Sequence, residues 1–256
     1  MWELKALSDD QITRCLNTIS SHTFYMLVGD ALDAQKQLSV VRMADGERIL
    51  MDLCSSSKYT SDELVLPTPQ LDAEWLNNYG VTDIPKHLLY KRLRLAAKNC
   101  DYFAASLSGI QFSNYNVDDF SYRARYVDNF YPDAWTEEMK INLFKKAQHV
   151  LFIHNNVSFA DGMQIRAKYS LGVRVSFIKM DHWSQADDVI EKANQIDAPL
   201  VLFASGPASK HIGPQIASGG NIPKVTLDLG HTAGYWTLSS LQKDTHEKRF
   251  GNKQTN

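Results

Sequence analysis

The sequence predicts an α/β fold: a Rossmann-like open, mostly parallel sheet with helices on both faces and extra helices at the N-terminus. Three observations carry this expectation. Short apolar runs rich in β-branched residues, such as "LSVVRMA", "HVLFIHNN" and "APLVLFA", have the composition of strands buried on both faces. Segments of helical period separate them, and they are long enough for the crossovers that parallel neighbours need. The chain has 256 residues, with no internal repeat and no low-complexity linker, so one domain is expected over 1–240, followed by a polar tail over 241–256.

Taken in order, "SDDQITRCLNTIS" opens on a Ser-Asp-Asp cap signal and reads as helix, as does "FYMLVGDALDAQ". "LSVVRMA" is the first strand, followed by helix "GERILMDLCSS". "DAEWLNNYG" suits a short helix, and "PKHLLYKRLRLAAKNC" a longer one with Leu88, Leu89, Leu93 and Leu95 roughly on one side. "DYFAASLSG" is a strand. "TEEMKINLFKKAQ" places acids early and lysines late, as the helix dipole favours. The remainder alternates: strand "HVLFIHNN", helix "FADGMQIRAKYSLG", strand "VRVSFIKM", helix "SQADDVIEKANQI", strand "APLVLFA", helix "ASKHIGPQIAS", strand "KVTLDLG".

Bulk properties exclude several classes. The formal net charge is −2, so there is no global electrostatic footprint for nucleic acid. Three scattered cysteines, Cys15, Cys54 and Cys100, form no CxxC pair and suit small core hydrophobes in a reducing compartment. The N-terminus lacks the pattern of a signal peptide, and no apolar run reaches membrane-span length. A cytoplasmic protein without membrane insertion is expected.

Open parallel sheets bind ligands beyond the carboxyl ends of their strands. Those ends carry Arg42, Asp45 and Glu47, then Ser106 to Gly109, then His154, Asn155 and Asn156, then Ser205, Gly206 and Pro207, and lastly Gly230 and His231. In "SVVRMADGERIL", Asp45 and Glu47 suit a helix start, as cap and as first-turn acid. They also suit a D-x-E metal site, because Asp45 in the turn and Glu47 opening the helix can serve one ion. Such hard oxygen ligands favour Mn²⁺ or Mg²⁺. Arg42, inside an apolar strand, needs a partner: either Asp45 or Glu47 as a structural bridge, or a diphosphate. "LVLFASGPASKHIG" ends a strand in a turn whose following helix start can cradle an anion, or is an ordinary Ser/Pro cap. His231 follows the last strand directly after glycine, where phosphate or metal contact and a structural role are both open.

These stretches, "SVVRMADGERIL", "PLVLFASGPASKHIG" and "KVTLDLGHTAGYW", resemble the R-x-x-D-G-E, G-P and D-[IL]-G-H motifs of the GT-D fold glycosyltransferases, in the same order, over roughly Leu38 to Leu238. The resemblance implies a nucleotide-sugar donor, expected to be UDP-linked, and a divalent ion, commonly manganese. It implies that Asp45 and Glu47 form the metal and nucleotide-sugar site, supported by Arg42, with Ser205, Gly206, Pro207 and His231 around the nucleotide. The family's mid-chain arginine–proline–tyrosine motif has its nearest counterpart in "FSYRARYVDNFYPDAW", where Arg123 or Arg125 takes the arginine's part and the proline is absent. The closing motif lacks both acids that usually follow, standing as Thr232-Ala233-Gly234-Tyr235-Trp236.

Candidate bases near strand ends are Glu47, Asp161 and Asp181. The resemblance points to a glycan or glycoprotein hydroxyl as acceptor. Lys86, His87, Lys91, Arg92, Arg94 and Lys98 crowd one helix, either as a solvated face or as a patch for an anionic acceptor. The latter fits a phage-type enzyme acting on a hydroxymethylated DNA base. Tyr122, Tyr126, Phe130, Tyr131 and Trp135 suit stacking on a sugar or base, or core packing. A noncatalytic nucleotide-sugar-binding module is the reading from another class. As a cap, the Asp45-Gly46-Glu47 turn is expected to contribute about 1 kcal/mol.

Overall fold

The computed structural model describes residues 18–43, 46, 47, 50, 77, 80–105, 125–155 and 172–236. It contains α1 (Ser21–Asp33), β1 (Leu38–Met43), α2 (Lys86–Asn99), β2 (Tyr102–Ala105), β3 (Arg125–Tyr126), α3 (Tyr131–Ala134), α4 (Glu137–Ala147), β4 (His149–His154), β5 (Arg174–Lys179), α5 (Ala186–Gln195), β6 (Leu200–Ala204), α6 (Ala208–Ser218) and β7 (Val225–Asp228). Short 3₁₀ turns cover Trp183–Gln185 and Gly230–Trp236. The strands form one sheet in the order β3-β2-β1-β7-β6-β4-β5, and every pairing is parallel.

Burial follows position in the sheet. β1, β4, β6 and β7 are buried at every residue, whereas the edge strand β5 is mostly half-exposed. Central parallel strands must be apolar on both faces because helices cover both. On one face, α1, α3 and α4 close over Val40, Tyr102, Phe152, Leu202 and Leu227. On the other, α2, α5 and α6 close over Val41, Phe103, Ile153, Val201 and Phe203. Alternate residues of each strand therefore belong to opposite cores, as the period of two requires.

The helices start and stop where side chains satisfy their free backbone groups. Ser20 caps α1 through its side chain to the Thr23 amide at 3.1 Å, and Thr136 caps α4 to Met139 at 3.2 Å. In α4, Glu137 and Glu138 open the helix and Lys145 and Lys146 close it; Gln148 then turns left-handed, with its N–H donating to the Phe144 carbonyl.

Two sequence expectations are corrected. Thr18 to Ser20 do not belong to a helix: Ile19 makes a parallel bridge to Val127. Thus one N-terminal helix, α1, is present among the described residues. Leu88 and Leu95 do not share the buried side of α2; they are 36 % and 48 % exposed, while Leu89 and Leu93 face the core. Of the two roles open for Tyr131 and Trp135, core packing holds: they pack with Phe24 and Trp236. β3 and α3 lie in a segment read only as a motif. The helix "SDDQITRC", "FADGMQIRAKYSLG" before Gly172, most of "GERILMDLCSS" and of "DAEWLNNYG", and the tail over 241–256 fall outside the described residues.

The order 6-4-5 reverses the direction of the walk across the sheet. β4 leads outward to β5, while β6 leads inward to β7 and so to β1. The carboxyl ends of β4, β6, β7 and β1 therefore share one edge, where open parallel sheets place their sites.

Candidate active site at the carboxyl edge

The edge is organised by a buried lysine. Lys210 lies in the first turn of α6, where the helix dipole disfavours a cation unless acids compensate it. Its Nζ lies 3.0 Å from Glu47 Oε1 and 3.0 Å from Asp228 Oδ2. All three residues are 5 % exposed or less. Asp228 is the last residue of β7, and Glu47 follows β1 in helical conformation. Burial alone pushes the Lys210 ammonium down, but the Asp228 and Glu47 carboxylates outweigh it and hold it above the ordinary lysine value. The lysine is therefore a permanent cation at neutral pH.

Asp228 is fixed at three points. Its Oδ1 accepts the Gly230 amide at 3.1 Å, its Oδ2 faces Lys210, and its carbonyl accepts the Tyr131 hydroxyl at 2.9 Å. Burial drives the Tyr131 phenol well above its usual value, so it remains a donor.

Arg42 lies on the other face of the sheet from Lys210. Its Nη1 donates to the Leu229 carbonyl at 2.6 Å, and its guanidinium sits over the Tyr131 ring at 6.0 Å. Of the two roles left open for it, a bridge to Glu47 is not formed; Glu47 is taken by Lys210. Gly230 is required beside it: its φ is +53°, and a Cβ there would lie 3.0 Å from Arg42 Nη1. Arg42 Nε is buried without a hydrogen-bond partner.

The β6–α6 turn completes the edge. Ser205 is buried and its Oγ has no hydrogen-bond partner. Gly206 turns left-handed at φ +66°, its carbonyl accepts the Ser209 amide and hydroxyl, and Pro207 sits at the cap of α6. His154 ends β4 in register with Ala204, beside this turn. Burial lowers its imidazole to about 4, so it is neutral at physiological pH.

The structure thus gathers Arg42, Glu47, Ser205, Gly206 and Pro207 at one edge. The backbone of His231 joins them in the turn after β7, and its side chain lies outside the described parts. Asp45, Arg123, Asn156 and Asp161 fall outside the described residues. Arg125 is not brought to this edge. It pairs with Tyr102 at the start of β2, at the amino end of the sheet, and its side chain is exposed. Asp181 follows β5 and pairs with Lys179 at 2.5 Å.

Sequence reasoning missed Lys210 and gave Asp228 no role of its own. Two signals were available: a lysine at a helix start, and an acid ending a buried apolar strand.

The donor chemistry of this edge suits a hard divalent ion. Among the described residues, no group of three or more metal-ligating side chains forms. Glu47 and Asp228 supply buried carboxylates, with Asp45 two residues before Glu47 in the chain.

A family model described as a GT-D fold-like domain matches residues 19–236. No curated protein and no solved structure matches the chain. The matched span runs from the bridge before α1 to Trp236 and takes in every strand of the sheet together with the whole Glu47–Lys210–Asp228 edge. The chain belongs to the GT-D-like family.

Proposed function

We propose that this protein is a metal-dependent glycosyltransferase that moves a sugar from a nucleotide-sugar donor, UDP-linked, to an acceptor hydroxyl. The single observation that carries the reading is the buried Glu47–Lys210–Asp228 cluster at the carboxyl edge. Buried carboxylates held ready around a fixed cation are costly to maintain, and a family fold built for sugar transfer gives them a purpose.

Each residue has a task in this reading. Glu47, with Asp45, holds Mn²⁺ or Mg²⁺, and Lys210 keeps the Glu47 carboxylate in one orientation. The ion, when bound, acts as a Lewis acid toward the departing diphosphate. Arg42 and the amides at the start of α6 add fixed positive potential where that charge develops. Ser205 Oγ and the backbone around Gly206 and Pro207 contact the nucleotide, with His231 near it. Asp228 is committed to Lys210 and to its own turn, so it orients rather than reacts.

The test is turnover of UDP- and GDP-sugars in the presence of Mn²⁺ and again with EDTA. Metal-dependent release of nucleotide, lost in Glu47→Gln, is expected. Absence of metal-dependent turnover with every common donor would leave a noncatalytic binding module. The acceptor is a glycan or glycoprotein hydroxyl by family precedent; the basic face of α2 favours a second acceptor class, a polyanion.

A further inference from the structure

α2 is amphipathic in an unusual sense: its inner face is apolar and its outer face carries only positive charge. Leu89, Leu93, Ala96 and Ala97 are buried against the core. His87, Lys91, Arg94 and Lys98 recur at spacings of four, three and four, which aligns them along one side of a helix. His87, Lys91 and Lys98 are exposed, Arg92 and Arg94 half-buried. No acid lies anywhere in Lys86–Asn99. Among the described residues, Lys91, Arg92 and Lys98 take part in no ion pair. In a chain of net charge −2, such a run of cations on a helix without an acid is a local departure from balance.

Its placement ties it to the site. Gly80 accepts the Trp183 amide at 2.9 Å and Asp83 accepts the Ser184 amide at 2.9 Å, so α2 begins beside the end of β5, at the carboxyl edge. It ends at Cys100, where the chain enters β2 at the amino edge. The stripe from His87 to Lys98 therefore crosses the molecule for about 17 Å. α2 packs along α6, which carries Lys210. At its far end Lys98 lines an open groove of about 950 Å³ together with Lys36 and Arg125; Asp30 and Asp101 also line it, and Asp101 is engaged by the Ser39 amide and hydroxyl.

We propose that this face docks the phosphate backbone of a nucleic-acid duplex, with α2 lying along it. A lipid surface fits less well, because a membrane-lying helix needs a broad outward apolar face, whereas α2 packs Leu89, Leu93, Ala96 and Ala97 inward and exposes Leu88 and Leu95 among its cations. A duplex presents about one charge per 1.7 Å of axis, so a stripe of this length meets phosphates throughout. As the acceptor class of the transferase, this inference rests on the function proposed above; as a binding surface, it stands without it.

The test is fluorescence anisotropy of a labelled duplex of about 20 base pairs, without donor, across salt from about 50 to 300 mM. Three cations, Lys91, Arg92 and Lys98, predict a slope of log affinity against log salt of about −2.7. In Lys91→Ala/Lys98→Ala, both exposed positions, the slope becomes about 1.8 shallower and affinity at 0.1 M salt falls about 60-fold, with an unchanged melting temperature. No binding at the lowest salt, or equal binding by the double variant, overturns the proposal. So does association with phosphatidylserine vesicles in place of the duplex. Donor turnover measured in parallel separates the two readings: duplex binding without turnover removes the transferase and leaves the surface, and turnover without duplex binding does the reverse.

Discussion

Lys210→Met tests whether the buried lysine holds the site together. The substitution keeps an unbranched side chain, one atom shorter, and removes its charge. Glu47 Oε1 and Asp228 Oδ2 each lie 3.0 Å from the ammonium, so these two oxygens are at most about 6 Å apart. At an effective dielectric of about 20, two unit charges at that separation repel by about 3 kcal/mol. Breaking a buried ion pair by removing one partner costs about 3–5 kcal/mol, in agreement. For a domain of this size, that lowers the melting temperature by roughly 6–20 °C. The assay is denaturant unfolding at neutral pH with EDTA present, so that no divalent ion takes the lysine's place. Lys210→Met/Glu47→Gln is the control: removing one of the two like charges recovers part of the loss, a coupling that a double-mutant cycle reads directly. A Lys210→Met variant within about 1 kcal/mol of wild type, or strictly additive effects in the cycle, refutes the reasoning. The same geometry revises the cost of Glu47→Ala. It exceeds the cap-sized 1 kcal/mol, because a buried ion pair is broken, but stays below that of Lys210→Met, because Lys210 retains Asp228. Lys210 titrates above its ordinary value, so its contribution is fully present below about pH 10.5 and is lost only as pH rises through the folded value.

Other outcomes follow from the same site and core. Gly230→Ala places a Cβ 3.0 Å from Arg42 Nη1 in a left-handed backbone, so it destabilises by about 1–2 kcal/mol and weakens donor binding by displacing the guanidinium; unfolding and donor titration measure both. His154, lowered to about 4 by burial, stays neutral in the fold while the unfolded imidazole titrates near 6.5. The unfolded chain binds the extra proton, so stability is held above pH 6.5 and falls by up to about 3 kcal/mol as pH drops toward 4. His154→Gln should flatten that part of the stability–pH curve, and a curve unchanged by the substitution assigns the loss to other groups. Burial pushes the Cys100 thiol up to about 12, so it resists iodoacetamide in the native state and reacts on unfolding; rapid native labelling at this cysteine contradicts the packing.

The strands were legible because their signal is local. β6 is a continuous apolar run and β4 has an apolar interior between two histidines, while β1 and β7 carry shorter apolar pairs, and a run buried on both faces looks the same in sequence as in the sheet. The capped helix α4 was legible for a similar reason, since its acids, lysines and Thr136 lie within one segment. The turns at the strand ends could be named before the fold was known, because the rule that sites lie at carboxyl edges needs only strand direction.

What the sequence could not decide is which charges meet. Lys210 and Glu47 are 163 positions apart in number, and Lys210 and Asp228 belong to different elements; only the packing of α6 against β1 and β7 brings them within 3.0 Å. The same holds for Arg42, whose partner is the Leu229 carbonyl on the neighbouring segment, and for Arg125, which the register of β3 sends to the opposite edge. Local pattern determined the elements and their order, because hydrogen bonding and burial act residue by residue along the chain. Tertiary structure decided the site, because a charge can be buried only where a partner from elsewhere arrives to meet it.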